Sequence, residues 1–186
     1  MPSSWTSMTS CWPMGTTDPS RVSGVIGDGL PRTSSEVRAE QLMRRALEVA
    51  EQTPAGDIPV GAVVFGPDGR ELGAGTNRRE VDADPTGHAE IAAIRAAVQT
   101  LGDAWRLGDC TLVVTLEPCA MCAGAAVGAR IGTIIYGVSE PRTGACGSVW
   151  DVPREAPLHK AEVVGGVLAA ECEALLRDFF GELRAH

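Results

Sequence analysis

Lysine is almost missing from this sequence. Lys160 is its only lysine in 186 residues, and arginine supplies the remaining basic side chains. Acidic residues outnumber basic ones by 24 to 16, which gives a formal net charge of -8. Proteins that coat nucleic acid without regard to its sequence bind by neutralising phosphates with many cations. The charge balance therefore argues against a protein of that class, but it leaves room for one local basic face.

Long apolar runs are also absent. The sequence has no run of the 18 or so apolar residues that a membrane-spanning helix needs. Its first residues lack the basic and apolar regions of a secretory signal. We therefore expect a cytoplasmic protein with no membrane partner. In that reducing compartment, the six cysteines are expected to be thiols or metal ligands rather than disulfides.

Aromatic residues are scarce, at 4% of the chain, whereas alanine, glycine and valine are abundant. This composition favours close packing of small side chains in the core of a soluble protein. Residues 1–35 differ from the rest, because 21 of them are Ser, Thr, Pro or Gly and they show no apolar period. We predict that residues 1–35 are a disordered N-terminal extension and that residues 36–186 form one domain.

Within that domain, helical and strand patterns alternate. A capping-box pair, Thr33 and Glu36, begins the first helix, and a strand–turn–strand hairpin follows it. A helix from His88, a buried strand, a second helix and another buried strand come next. Residues 139–160 are predicted to be a long loop, before a short strand and a C-terminal helix from about Leu168 to Leu183. The pattern predicts a layered α/β domain with a mixed sheet.

Two thiols in the stretch T-L-E-P-C-A-M-C stand at a predicted helix start. Cys119 and Cys122 fit a redox pair, a structural disulfide or part of a metal site. A second predicted helix start favours the metal site. The helix that follows D-P-T-G begins with His88 and Glu90. A histidine and a glutamate two residues apart, followed by P-C-x-x-C, form the signature of zinc-dependent base deaminases.

The chemistry of these residue types fits a catalytic zinc ion. Zinc takes four tetrahedral ligands, and a catalytic site keeps one position for water. His88, Cys119 and Cys122 supply three ligands, and cysteines at i and i+3 share one face of a helix. Glu90 lies next to them without being needed as a ligand, which suits a general acid and base.

Beyond these residues, the sequence resembles the bacterial tRNA-specific adenosine deaminases over roughly residues 38–184. The resemblance is carried by the following stretches: I-P-V-G-A-V-V, G-x-N-R, D-P-T-x-H-A-E, T-L-E-P-C-x-M-C-A-G-A, R-I-G, T-G-A-x-G-S and G-x-L-x-x-E-C. It implies a three-layer α/β/α cytidine deaminase-like fold with roughly five strands. It also implies one Zn²⁺ per subunit, a homodimer, and hydrolytic deamination of adenosine to inosine at wobble position 34 of tRNA-Arg(ACG). The partner would be the tRNA anticodon stem-loop, and the chemistry would use a zinc-activated water with Glu90 as proton shuttle.

The resemblance also assigns substrate contacts. Asn77 would hydrogen-bond the target nucleoside, while Pro59, Val60 and Ala89 would wall the base pocket. Further substrate contacts would come from the C-terminal helix and from the loop that meets the RNA backbone, at Phe179, Glu140 and Arg142. This chain departs from the family pattern in two places. Glu140 stands where relatives more often have aspartate, and Gly181, Glu182 and Leu183 replace residues that are often basic.

Two other functions fit parts of the same pattern. A deaminase of a free base or nucleoside, such as guanine or cytosine, would use the same zinc centre and would suit the acidic balance. A silent structural zinc protein would need a fourth Cys or His ligand. His159 is the only spare histidine between the N-terminal extension and the final residue, and Glu90 would then have no role.

Overall fold

The computed structural model describes residues 33–102 and 105–185. Over these residues the chain forms five helices and five strands, which alternate except that the first two strands follow one another. The helices are α1 (Ser34–Ala50), α2 (Ala89–Leu101), α3 (Ala120–Gly128), α4 (Val152–Glu155) and α5 (Ala169–Ala185). The strands are β1 (Gly61–Phe65), β2 (Glu71–Thr76), β3 (Thr111–Leu116), β4 (Thr133–Val138) and β5 (Glu162–Val164).

The five strands form one mixed sheet in the order β2-β1-β3-β4-β5. β1 is antiparallel to both of its neighbours, and β3, β4 and β5 run parallel to one another. The antiparallel part comes from the predicted hairpin, and each parallel connection crosses over through a helical segment, as parallel pairing requires. The prediction of a mixed sheet of roughly five strands is confirmed.

The helices cover both faces of this sheet, so the fold has the three α/β/α layers. Alternation along β3 shows the arrangement, because successive side chains of a strand point to opposite faces. Leu112 and Val114 pack in the core that α2 and α3 close. Val113 points the other way, into the core that contains Met43 of α1 and Cys172 of α5. Both faces are apolar, which explains the unbroken hydrophobic run of this strand.

Local signals placed most element boundaries correctly. The capping box predicted at Thr33 is present, with the Thr33 side chain accepting from the Glu36 amide and the Glu36 side chain accepting in return. Ser34 and Ser35 already belong to α1, so the helix begins within the segment predicted as residues 1–35. The predicted disorder of residues 1–32 lies outside the described residues. Residues 139–160 are mostly loop, as predicted, but they contain the short helix α4, which Asp151 caps.

Glycines let α2 lie directly on the hairpin. A Cβ on Gly73 of β2 would lie 2.6 Å from the Ala93 carbonyl oxygen, and one on Gly75 would lie 2.6 Å from the Ala89 carbonyl oxygen. Real Cβ atoms do not approach backbone this closely, so the contact needs residues without side chains. This close packing fixes the start of α2, where His88 and Glu90 stand, against the sheet.

Replacing Gly73 with alanine should therefore destabilise the domain, by about 1–3 kcal/mol or more, because the helix backbone has to move. Gly181→Ala is the matched control, since Gly181 is exposed within α5 and a Cβ there meets nothing within 4 Å. It should stabilise by about 0.5–1 kcal/mol through helix propensity. Urea unfolding of both variants measures the difference, and equal effects of the two substitutions would contradict the packing argument.

No helix in the described part of the chain is both long and apolar enough to cross a bilayer.

Candidate metal centre

The site lies beyond the C-terminal end of the central strand β3, where the helices α2 and α3 begin. His88 is the N-cap residue of α2, and Cys119 is the N-cap residue of α3. Cys122 follows in the first turn of α3 and is fully buried. The helix starts predicted for these residues are confirmed. Their backbone N–H groups place partial positive charge beside the sulfurs, which favours thiolates.

The three side chains converge as metal ligands do. The Nδ1 atom of His88 lies 3.5 Å from the Cys122 sulfur and 3.7 Å from the Cys119 sulfur. All three ligand atoms lie within 4.8 Å of one another. Zinc bonds of about 2.0–2.3 Å in a tetrahedral site put ligand atoms roughly 3.5 Å apart. The triad therefore fits zinc in both its donor types and its spacing.

The pKa values of the triad show which ligand is a thiolate and which protons a metal has to displace. A hydrogen bond from Cys122, and a second from His88, hold the pKa of the Cys119 thiol well below its usual range. The pKa of Cys122 is raised, because this sulfur donates its proton to Cys119 and is buried. The pKa of His88 is raised by its hydrogen bond to Cys119. Loading a metal therefore has to displace the proton held on Cys122.

Glu90 stands beside the triad in the first turn of α2. It is 4% exposed, and burial raises the pKa of its carboxyl group. Its side chain also lies within hydrogen-bonding reach of Cys122. The carboxyl group lines a cavity of about 170 Å³ together with His88 and Cys119. A buried carboxyl at the wall of a cavity that also exposes the ligands is placed to exchange protons with a molecule bound there.

The cavity is walled by residues from five parts of the chain. Val60 precedes β1, Asn77 follows β2, Ala89 begins α2, Leu116 ends β3, and Glu140 comes from the loop after β4. The wall is completed by Ile58, Arg79, Glu117, Thr143, His88, Glu90 and Cys119. Asn77 is 8% exposed, and its backbone N–H donates to the Val60 carbonyl at 3.1 Å, which fixes its backbone at the wall.

A second cavity of about 460 Å³ adjoins the first. Ile58, Asn77 and Arg79 line both cavities, so the two lie side by side. Phe179 and Phe180 of α5 line its far side, with ring centroids 5.3 Å apart in an edge-to-face arrangement. The site thus extends from the metal triad to an aromatic groove with an arginine between them.

The structure brings together most of the residues that the sequence singled out. Val60, Asn77, Ala89 and Glu140 line the first cavity, and Phe179 lines the second. Two residues stand apart from both linings. Pro59 is half-buried between Ile58 and Val60, and Arg142 is exposed in the loop after β4.

Sequence reasoning missed several wall residues. Ile58 and Leu116 lie in the I-P-V-G-A-V-V and T-L-E-P-C stretches but have no chemical signature, and Arg79 is one of many arginines in the chain. Glu117 and Thr143 carried a signal, since both lie in the T-L-E-P-C and T-G-A-x-G-S stretches. What the sequence did not show is that these two stretches touch: the Glu117 carboxylate accepts a hydrogen bond from the Cys146 amide at 3.0 Å.

The other cysteines of the described residues stay outside the centre. Cys110, Cys146 and Cys172 are buried, and burial raises the pKa of each thiol, to about 12 for Cys146 and Cys172. They are free thiols in the core, in agreement with the expectation of thiols rather than disulfides, whereas Cys11 lies outside the described residues. His159 is also separate from the triad, because its Nε2 pairs with the Ile131 carbonyl oxygen at 2.6 Å.

Comparison with known proteins agrees with this geometry. Residues 36–138 match the cytidine and deoxycytidylate deaminase zinc-binding region. A tRNA-specific adenosine deaminase of Haemophilus influenzae is 44% identical over 147 residues, which cover 78% of this chain and 84% of that protein. The chain belongs to the tRNA-specific adenosine deaminases of the zinc-binding deaminase family. The predictions of zinc as cofactor and of a deaminase are thereby confirmed.

Two further relatives place this deaminase in context. A chain solved in a study of A-to-I editing by tRNA:A34 deaminases superposes with a TM-score of 0.67 at 38% identity, covering 73% of this chain and 99% of the other. The three-layer fold is therefore confirmed as that of the family. A tRNA(Ile)-lysidine synthase of Deinococcus deserti is 51% identical over 76% of this chain, but the chain spans only 27% of that protein's length.

Proposed function

We propose that this deaminase converts adenosine to inosine at wobble position 34 of a tRNA, with tRNA-Arg(ACG) as the expected substrate. The observation that carries the proposal is the pair of adjoining cavities: ligands of the metal triad and a buried glutamate line the first, an aromatic pair lines the second, and Arg79 lines both. A free base would need only the first cavity. A flipped nucleotide in an RNA loop needs room for its neighbours, and aromatic side chains stack bases.

The reaction adds water to C6 of adenine and releases ammonia. His88, Cys119 and Cys122 would hold the zinc, which would act as a Lewis acid and lower the pKa of a water towards neutrality. The chain's own residues move the protons. Glu90 takes one proton from the attacking water and passes it to the ring nitrogen. It then takes the second proton from the hydroxyl group formed on C6 and passes it to the departing amine, which leaves as ammonia. Glu90 can do so because its carboxyl group lies in the cavity wall beside the ligands.

The other wall residues are proposed to orient the substrate. Asn77 is proposed to hydrogen-bond the nucleoside, and Val60 and Ala89 to pack against the base and exclude water. Glu140, on the loop after β4, is proposed to contact the ribose or the backbone next to the flipped nucleotide. The exposed Arg142 is proposed to reach the neighbouring phosphate. Phe179 in the second cavity is proposed to stack on an adjacent base.

The deciding experiment incubates zinc-loaded protein with an anticodon stem-loop of tRNA-Arg that carries A34. The same stem-loop with G34, and free adenosine, cytosine and guanine, are the parallel reactions. We expect inosine at position 34 and ammonia from the A34 stem-loop alone, detected by nucleoside mass spectrometry. Ammonia from free guanine or cytosine, with no inosine in the RNA, would replace this proposal with a free-base deaminase.

The homodimer implied by the resemblance is a separate proposal. Exposed apolar side chains near the start of α3 and in the loop after β4, Met121, Val149 and Trp150, support it, because a soluble monomer gains nothing from exposing them. Sedimentation equilibrium measures the mass, and a monomer at micromolar concentration contradicts the proposal.

A further inference from the structure

Glu117 is a buried carboxylate of the site that the proposed reaction does not use. It follows β3, two residues before the ligand Cys119, and is 2% exposed. Its side chain lines the first cavity at the point where the chain returns after β4. The returning segment, residues 139–150, is called the 139–150 loop below.

Four hydrogen bonds join the Glu117 carboxylate to that loop. The Glu140 amide donates to Oε2 at 3.0 Å, and the Cys146 and Ser148 amides donate to Oε1 at 3.0 and 3.1 Å. The Ser148 hydroxyl also donates to Oε2. A carboxylate has about four lone-pair positions, so the loop saturates this one. Burial alone would raise the pKa of Glu117, but the Ser148 hydroxyl and the three amides outweigh it and hold the pKa below its usual value.

The same loop is tied to the metal-binding segment itself. The Ala145 amide donates to the Pro118 carbonyl at 2.8 Å, and Cys119 forms a β-bridge with Gly144. The fit is close, since a Cβ on Gly144 would lie 2.5 Å from the Glu117 Oε2 atom. The loop is therefore registered against the residues that lead into α3.

Two residues of the loop form cavity wall. Glu140 and Thr143 line the first cavity, opposite the wall that Val60 and Asn77 provide. The loop contributes no metal ligand and no part of the proton path. Its position therefore decides the shape of the pocket rather than the chemistry at the zinc.

We propose that Glu117 is a positioning residue: its carboxylate holds the 139–150 loop in place, and thereby sets Glu140 and Thr143 as the wall that receives the substrate nucleoside. The nature of that substrate rests on the proposed function, whereas the clamp rests on the hydrogen bonds alone. Without the clamp the loop samples open positions. The apparent affinity for the substrate nucleoside is then the intrinsic affinity multiplied by the fraction of molecules in which the wall is correctly placed.

Glu117→Gln tests the clamp with almost no change in size. The amide nitrogen of glutamine is a donor and would face at least one backbone N–H group of the loop. At least one hydrogen bond to the loop is therefore lost. We expect amide hydrogen exchange at residues 140, 146 and 148 to become faster. We also expect KM for the A34 stem-loop to rise about tenfold, as for loss of hydrogen bonds to a charged group. kcat should stay within about threefold, with one zinc per chain.

Two variants separate positioning from general stability. Gly144→Ala attacks the clamp from the loop side, because its methyl group displaces the carboxylate, and it should raise KM in the same way. Met43→Ala makes a void in the core on the opposite face of the sheet, where Met43 is fully buried. It should lower the melting temperature without changing KM.

The outcomes are distinct. Faster loop exchange and a higher KM in Glu117→Gln and Gly144→Ala, but not in Met43→Ala, support the proposal. An unchanged KM, a KM rise shared by Met43→Ala, or a loss of zinc with a fall in kcat overturns it. If the unmodified protein does not act on the stem-loop, the proposed function fails. The exchange measurement, with KM taken on whichever base is turned over, still decides the clamp.

Discussion

Glu90→Gln is expected to lower kcat for deamination by about 10²–10⁴-fold while leaving one zinc bound per chain. Glutamine keeps the shape and the hydrogen-bonding oxygen of the side chain but cannot carry a proton between water and base. General acid–base catalysis by a positioned side chain contributes a factor of this size. Zinc should stay, because the ligand triad consists of His88, Cys119 and Cys122.

Single-turnover formation of inosine, together with metal analysis of the same sample, measures this effect. Glu71→Gln is a matched control, because Glu71 is a carboxylate on the exposed start of β2 that pairs with Arg45 away from the cavity. Exposed ion pairs contribute little to the free energy of folding, so this variant should fold normally. Its activity should match that of the unmodified protein. Near-normal turnover in zinc-replete Glu90→Gln would show that another group moves the protons.

Cys122→Ala is expected to abolish zinc binding, and deamination with it. The Cys122 sulfur is fully buried and lies 3.5 Å from the His88 nitrogen, and alanine supplies no thiolate to bind the metal there. Because zinc binds only the folded chain, its loss also removes stability. That loss amounts to about 3 kcal/mol at free zinc a hundredfold above Kd.

Metal analysis after dialysis and thermal unfolding with and without a chelator measure both effects. The chelator should lower the melting temperature of the unmodified protein and leave that of Cys122→Ala unchanged. Cys172→Ala is the matched control, since this buried cysteine lies in the core on the opposite face of the sheet. It should keep one zinc per chain. A full zinc complement in Cys122→Ala would remove this residue from the ligand set.

The predictions that succeeded from sequence share a physical cause. Strand β3 was found from the sequence, because a run buried on both faces is continuously apolar and ends at a proline-bearing turn. The start of α1 was found because its capping box is a local interaction between Thr33 and Glu36. The metal ligands were found because zinc accepts few donor types, and their spacing is tied to helix starts.

Most of the misses share a different cause, which is contact between segments distant in sequence. Ile58 and Leu116 line the cavity because β1 and β3 pair side by side, and their places in the I-P-V-G-A-V-V and T-L-E-P-C stretches do not show this. The short helix α4 was missed for a local reason, because four residues capped by Asp151 show no period.

The sequence by itself thus determined the residues that are candidates for the chemistry: the ligand triad, the adjacent glutamate, and the order of helices and strands that carries them. These follow from local periodicity and from the narrow demands of a metal ion. Only the tertiary structure decided the shape of the site. It set the two cavities side by side with Asn77 and Arg79 in both linings, and it seated the 139–150 loop on Glu117. Pocket walls of this kind are made by segments that meet through sheet pairing and burial.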